Sequence, residues 1–315
     1  MFNRLFWGIG FDYMHSRQFA ITPPFNLDLS LKLAGKNRFE SSNSGGNLEK
    51  FIHIDGNPVL VVIGWNGNVE HPQGEVSWLC PEGNGVEAER VVAAARHIVS
   101  AALDLKPFYK VAAGMKRLGV LAERLRGLKP ILTHTVFEAA ASAIIAQQVN
   151  LRFAHILKQR LIACYGGRYA LDGKTLHLFP LPHDLSGIRS EALRDLQFSG
   201  RKSEYLIGLS RDVLSGGFNL ECLDNLEYED AVDRLLGIRG IGVWSANYIL
   251  MRSTGHTDCL PLGDSGLHRA VRKLYRLGIS PDNTRVARSA ERFRPDRSLY
   301  TLYLWYFLME ELDNG

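Results

Sequence analysis

Residues 237–242 read Gly-Ile-Arg-Gly-Ile-Gly and separate two apolar helical patterns, residues 231–236 and 243–251. A chain that ends one helix and begins another within six residues needs positive φ and close backbone approach, which glycine permits. The second helix then presents unpaired N–H groups at its N-terminus, where an anion such as a phosphodiester can sit. A helix corner that touches nothing would use the same glycines, so the motif alone leaves both readings open.

Some twenty residues on, Leu260-Pro261-Leu262-Gly263-Asp264-Ser265-Gly266-Leu267 places a proline and a glycine before an aspartate that opens a helical pattern running to Leu277. Asp264 is placed to cap that helix. Upstream, Thr135-Val136-Phe137-Glu138 has the form of a capping box and starts an apolar helix, residues 137–146. That helix ends in Gln147-Gln148-Val149-Asn150, two amides between apolar helices that can cap carbonyls or face a ligand.

Hairpin and aspartate together resemble the helix-hairpin-helix DNA glycosylase superfamily, and Arg239-Gly240-Ile241-Gly242-Val243-Trp244-Ser245-Ala246-Asn247-Tyr248 is most similar to its DNA-3-methyladenine glycosylase II branch. The resemblance covers residues 130–310 well. It implies a mainly α fold: a two-lobed helical core behind an N-terminal antiparallel α+β domain of TATA-binding-protein-like fold. The boundaries it implies are an N-terminal domain at 1–108, a lobe carrying Asp264 at 109–133 and 257–315, and a lobe ending in the hairpin at 134–256.

By the same resemblance Asp264 is the essential carboxylate, Gln148 the wedge that fills the gap left by an extruded nucleotide, and Trp244, Tyr248 and Trp305 the base pocket. Gly240, Gly242 and Arg239 would meet a DNA phosphate, although the family's hairpin usually begins with proline where this chain has Arg239. Backbone carbonyls of such hairpins can also hold a monovalent cation; no other cofactor is expected. Members that cleave the strand carry a lysine two residues after the last hairpin glycine, and here that residue is Trp244.

The implied activity is that of a monofunctional DNA glycosylase, a hydrolase that flips alkylated purines (the 3-methyladenine and 7-methylguanine type) out of duplex DNA in base-excision repair. Its partner is double-stranded DNA holding a damaged base, and the protein is expected to act as a monomer. Such an enzyme breaks a C1′–N bond through an oxocarbenium-like state and needs an anion near the sugar. Asp264 could supply that field or activate water, and the sequence does not separate the two. The alternatives are a bifunctional oxidised-purine glycosylase/lyase and a non-catalytic helix-hairpin-helix DNA-binding protein; an anion facing phosphates argues against the second.

Residues 1–108 differ in character from the helical remainder. Apolar runs at 51–55, 59–65 and 75–80, separated by Asp55-Gly56-Asn57 and Asn66-Gly67-Asn68, predict an antiparallel sheet, and residues 86–105 a helix covering one face. Leu27, Leu29, Leu31 and Leu33 suit a strand or a helix. Residues 41–47 read as a flexible polar loop, 169–187 as a surface excursion, and 199–202 as a basic turn.

The net charge of +4 is mild, but the cations cluster: Lys106, Lys110, Lys116, Arg117, Arg124, Arg126 and Lys129 in one stretch, and nine Lys/Arg over residues 269–297. Two basic strips suit a polyanion. Four cysteines, Cys80, Cys164, Cys222 and Cys259, lack Cys-x-x-Cys spacing. They predict reduced thiols in a cytoplasm (nucleoid-associated in a bacterium, nuclear in a eukaryote) and no iron-sulfur cluster. No apolar run reaches the roughly 18 residues of a membrane span, and residues 1–7 do not form a signal peptide.

Overall fold

Asp55 (φ 51°) and Gly56 (φ 79°) both adopt the left-handed region, the geometry of a tight hairpin turn. They join two of the five strands of an antiparallel sheet. The computed structural model describes residues 15–34, 41–44, 46–80, 85–171 and 174–313; the opening seven residues and Gly45, read above as no signal peptide and as part of a polar loop, lie outside them. The strands β1 (His15–Ala20), β2 (Ser41–Ser44), β3 (Asn47–Ile54), β4 (Asn57–Trp65) and β5 (Gln73–Leu79) run in the order β1-β5-β4-β3-β2. Helix α1 (Leu27–Ala34) lies between β1 and β2, and α2 (Ala88–Ile98) follows β5.

Alternation along β4 sorts the sheet's two faces. Val59, Val61 and Ile63 pack with Leu27, Leu31, Val91 and Ile98 of α1 and α2, whereas Leu60 joins Phe51 and Leu79 on the opposite face. That second face is covered by Leu178, Tyr169 and Leu176. The segment read as a surface excursion is therefore an internal joint: strands β6 (Arg168–Leu171) and β7 (Lys174–His177) pair as a hairpin whose apolar side chains pack the N-terminal sheet onto the helical core. Its prolines and polar residues hid three apolar side chains at strand spacing.

Other expectations shift for local reasons. The leucine alternation at 27–33 is a helix capped by Asn26, whose Oδ1 accepts from Leu29 N at 3.0 Å. Two of its sides are apolar, because Leu27 and Leu31 face the sheet while Leu29 and Leu33 pack on the helical core. Residues 41–44, read as loop, pair with β3 as an edge strand, where polar composition is the rule. Helix α2 stops at Ile98 rather than reaching 105 because Ser100 turns to φ 51°, although Val99, Ala101 and Leu105 stay buried and prolong the apolar pattern.

The remaining helices are α3 (Lys106–Ala113), α4 (Lys116–Arg124), α5 (Val136–Ala146), α6 (Leu151–Tyr165), α7 (Pro182–Ser186), α8 (Ser190–Asp195), α9 (Gly200–Leu214), α10 (Tyr228–Leu236), α11 (Val243–Ser253), α12 (Ser265–Leu274), α13 (Asn283–Ala290) and α14 (Arg297–Asp313). Two apolar clusters organise them. One gathers α5, α6, α9, α10 and α11; the other gathers α3, α4, α12, α13 and α14, with Tyr300, Tyr303 and Tyr306 fully buried. The chain passes from the first to the second between Cys259 and Leu260, five residues before Asp264.

The start of α5 is half a capping box. Thr135 Oγ1 accepts from Glu138 N at 3.2 Å, but the Glu138 carboxylate turns inward to Lys50 of β3 and Lys158 of α6. Beside it, His134 donates from Nε2 to His53 O at 2.7 Å, while Nδ1 is buried with no hydrogen-bond partner among the described residues. Burial pushes the His134 pKa down to about 4. The native state thus binds fewer protons than the unfolded chain between pH 6.5 and 4, and stability falls as pH drops through that window. The expected loss is about 3 kcal/mol by pH 4. Urea unfolding between pH 7 and 4 checks it, with a shallower slope expected in His134→Gln.

Candidate active site

Asp264 caps α12 and accepts from Leu267 N at 2.7 Å through Oδ1. The same oxygen accepts from Trp305 Nε1 at 3.0 Å, and Oδ2 accepts from Trp244 Nε1 at 3.2 Å. Two indoles and a helix N-terminus thereby fix the carboxylate in orientation while leaving it half-buried. Gly266 makes this possible: a Cβ there would stand 3.0 Å from Asp264 Oδ1 and 3.7 Å from Trp305 Nε1. Tyr248 stacks on Trp244 (centroids 5.3 Å apart, planes at 21°) and stands 6.4 Å from Trp305. Asp264, Trp244, Tyr248 and Trp305, expected from three separate segments, are thus brought together.

The loop before Asp264 is held by Asn247, which the reading of the sequence passed over. Its Oδ1 accepts from Leu260 N at 2.8 Å and from Tyr228 Oη at 2.7 Å, and its Nδ2 donates to Val243 O. A single buried amide therefore ties α10, α11 and the loop of the carboxylate. The signal in the sequence was a lone amide among the apolar residues of α11. On the α14 side, Asp258 receives Arg297 (Nε to Oδ1 2.6 Å) and Arg294 (Nη1 to Oδ2 2.8 Å), and Ser298 Oγ accepts from Cys259 N.

The hairpin between α10 and α11 is closed by Gly240 at φ +93°, where a Cβ would meet the Tyr205 ring at 2.5 Å. Gly242 precedes α11, has open space at its Cβ position, and supplies no side-chain cap to the first N–H groups of α11. Gln147 donates to Gly240 O at 2.7 Å and to Ser245 Oγ at 3.0 Å, fastening the end of α5 to the hairpin. Gln148 is exposed and held at φ 53°, a left-handed conformation uncommon for a residue other than glycine. Of the two amides, one is a brace and the other projects. Two hairpin carbonyls, Ile238 O and Gly240 O, accept from Ile241 N and Gln147 Nε2.

Charge is distributed differently from the two strips expected. Lys129 is wholly buried, donating to Thr22 O at 2.8 Å, with its pKa pushed down to about 7 by desolvation. Arg126 pairs with Glu70, Arg124 with Glu310, and Arg297 with Asp258 inside the fold. Lys202, read as part of a basic turn, is buried in the first turns of α9 and donates to Ile145 O at 2.6 Å. Arg239 is exposed but engaged, pairing with Glu204 at 3.2 Å and lying over the Tyr205 ring. Exposed cations persist at Lys106, Lys110, Lys116, Arg269, Arg272, Arg276, Arg285, Arg288 and Arg292.

An aromatic cluster around a capped carboxylate, set beside a glycine hairpin, suits the removal of a base from a nucleic acid. The chain belongs to the HhH-GPD superfamily of base excision DNA repair proteins, whose family model matches residues 141–295. The DNA-3-methyladenine glycosylase of Bacillus subtilis (strain 168) is 33% identical to it over 205 residues, 65% of this chain and 68% of the relative. DNA-3-methyladenine glycosylase 2 of Escherichia coli (strain K12) is 31% identical over 190 residues, 60% of this chain and 64% of that one. The solved 3-methyladenine DNA-glycosylase from Archaeoglobus fulgidus shares the fold, with a TM-score of 0.78 at 24% identity, over 93% of this chain and 98% of that one. Among the described residues no helix is long and apolar enough to cross a membrane.

Proposed function

We propose that this chain is a monofunctional DNA glycosylase that extrudes an alkylated purine from duplex DNA and hydrolyses its C1′–N bond. The observation that carries the reading is the Asp264 carboxylate held by both indoles at the mouth of the aromatic cleft. An oxocarbenium-like sugar there gains an anion that needs no reorganisation during reaction. Both carboxylate oxygens already accept hydrogen bonds, which favours electrostatic stabilisation over proton abstraction as the role of Asp264. Cationic purines leave without a general acid, and electron-rich rings such as Trp244, Tyr248 and Trp305 favour them by ~0.5–2 kcal/mol each.

The first N–H groups of α11 and the hairpin glycines would receive a backbone phosphate, with Arg239 released from Glu204 to join them. Gln148 would enter the stack vacated by the extruded nucleotide. In Gln148→Ala, affinity for a duplex with an abasic site should fall by about tenfold while affinity for intact duplex changes little, as measured by fluorescence anisotropy. Equal losses on both would make the residue an ordinary helix cap.

The function itself is tested with duplexes holding 3-methyladenine, 7-methylguanine, uracil or 8-oxoguanine. Release of the two alkylated purines is expected. Release of 8-oxoguanine or uracil alone would sink the reading.

A further inference from the structure

A cavity of about 170 Å³ lies where the N-terminal sheet meets the helical core, walled by Lys50 of β3, Glu138 and Ser142 of α5, His155 and Lys158 of α6, and Arg252 of α11. Tyr248 also lines it, but Asp264, Trp244, Trp305 and Gln148 do not, so the space is separate from the cluster around the carboxylate. Its wall is unbalanced in charge. Among the described residues that line it, Lys50, Lys158 and Arg252 are cations and Glu138 is the one acid. Burial lowers the pKa of His155, which therefore adds no charge near neutral pH. Lys50, Lys158 and Glu138 are 7%, 8% and 5% exposed. Both lysine Nζ atoms face Glu138 Oε1, at 3.7 and 3.5 Å, while Oε2 accepts from His134 N at 3.4 Å. Ser142 Oγ is buried without a hydrogen-bond partner among the described residues. Leu151, 85% exposed, marks where the cavity opens. Excess positive charge behind a low-dielectric wall is costly unless an anion answers it.

We infer that this cavity is a binding site for hydrogen phosphate, taken up as the free dianion or as a phosphomonoester at a strand end. Two positive charges in excess match two negative ones. Ammonium, guanidinium and hydroxyl donors suit the phosphate oxygens, and charge strengthens those bonds. Glu138 selects within the class of oxyanions. Hydrogen phosphate keeps a proton near neutral pH and can donate it to a carboxylate, whereas sulfate has none and meets Glu138 as charge against charge. Size selects again, because the volume is several times the ~30 Å³ share of a water molecule and well below a drug-sized pocket. A tetrahedral anion fits, and a whole nucleotide does not. Since Lys50 lies on the sheet and Lys158 on the helical core, the bound anion ties the two together, and a ligand held by the native state alone stabilises it. The inference stands apart from the glycosylase reading, with which it shares the single side chain Tyr248.

The test is a calorimetric titration of inorganic phosphate into the DNA-free protein, with sulfate at equal ionic strength beside it. Phosphate should fill one saturable site and raise the melting temperature, and sulfate should bind at least about tenfold more weakly. Phosphate affinity should fall by about tenfold in Lys50→Met and in Arg252→Gln, and less in Ser142→Ala, as expected for losing a charged or a neutral donor. No saturable binding to the wild-type protein, or equal affinity for the two anions, overturns the inference, and neither result depends on a variant that folds. The N-terminus of α11 is the other place where an anion can sit. Phosphate that a saturating undamaged duplex displaces, and that Lys50→Met and Arg252→Gln bind as well as wild type, is held there, which also overturns the inference. Short duplexes with 5′-phosphate or 5′-hydroxyl ends separate the sources. Tighter binding of the phosphorylated duplex that is lost in Arg252→Gln assigns the site to a strand end, and equal binding of the two duplexes assigns it to the free anion.

Discussion

Asp264→Asn should lower single-turnover base release by at least about a thousandfold while leaving duplex affinity within a few-fold of wild type. Asparagine is as good an N-cap as aspartate, so Oδ1 can keep Leu267 N and Trp305 Nε1. The amide nitrogen would then face Trp244 Nε1–H, donor against donor, where the carboxylate now accepts at 3.2 Å. Fold and cleft survive, but the anion is lost. Rates measured on a 3-methyladenine duplex, alongside anisotropy on an abasic duplex, separate the two effects. Most of the rate remaining in the Asn variant would remove Asp264 from the chemistry.

The second large effect concerns the product. Treating protein and damaged duplex with borohydride should trap no covalent adduct, and strands should break only after alkali. A lyase needs an amine at C1′, and the position after the hairpin where it would stand is an indole whose N–H is bonded to Asp264. The lysines nearest to the hairpin in sequence are committed elsewhere: Lys202 to Ile145 O inside the first helical core and Lys273 to Glu311 on the surface. Burial lowers the basicity of Lys202 and so favours its nucleophilic form, yet its ammonium is held against a backbone carbonyl. An adduct that vanishes in Lys202→Met would reverse the assignment and make the chain a lyase.

The hairpin and the cap at Asp264 were legible in the sequence because each depends on local rules, glycine at positive φ and a carboxylate one residue before a helix, whereas Gln148 was told apart from Gln147 only through family resemblance. The three-ring cluster was legible only through family resemblance, since Trp305 lies 41 residues from Asp264 and nothing in an apolar helix says which face its indole takes. Asn247 and Gly266 escaped for the same reason, their roles existing only once α11, α12 and α14 meet. Charge misled most. Runs of Lys and Arg were read as solvent-facing strips, yet Lys129, Arg297 and Lys202 point inward to carbonyls or carboxylates, and sequence does not report which cations a core absorbs. The β6–β7 hairpin was missed because its strands are four residues long and pair with each other rather than joining the main sheet.

The most direct test of the account is one turnover of the wild-type protein on a duplex with a single 3-methyladenine, with free base and strand quantified from the same sample. The account predicts one equivalent of free 3-methyladenine, one abasic site, and an intact strand until alkali is added. Tight binding of the duplex with no base released would contradict it.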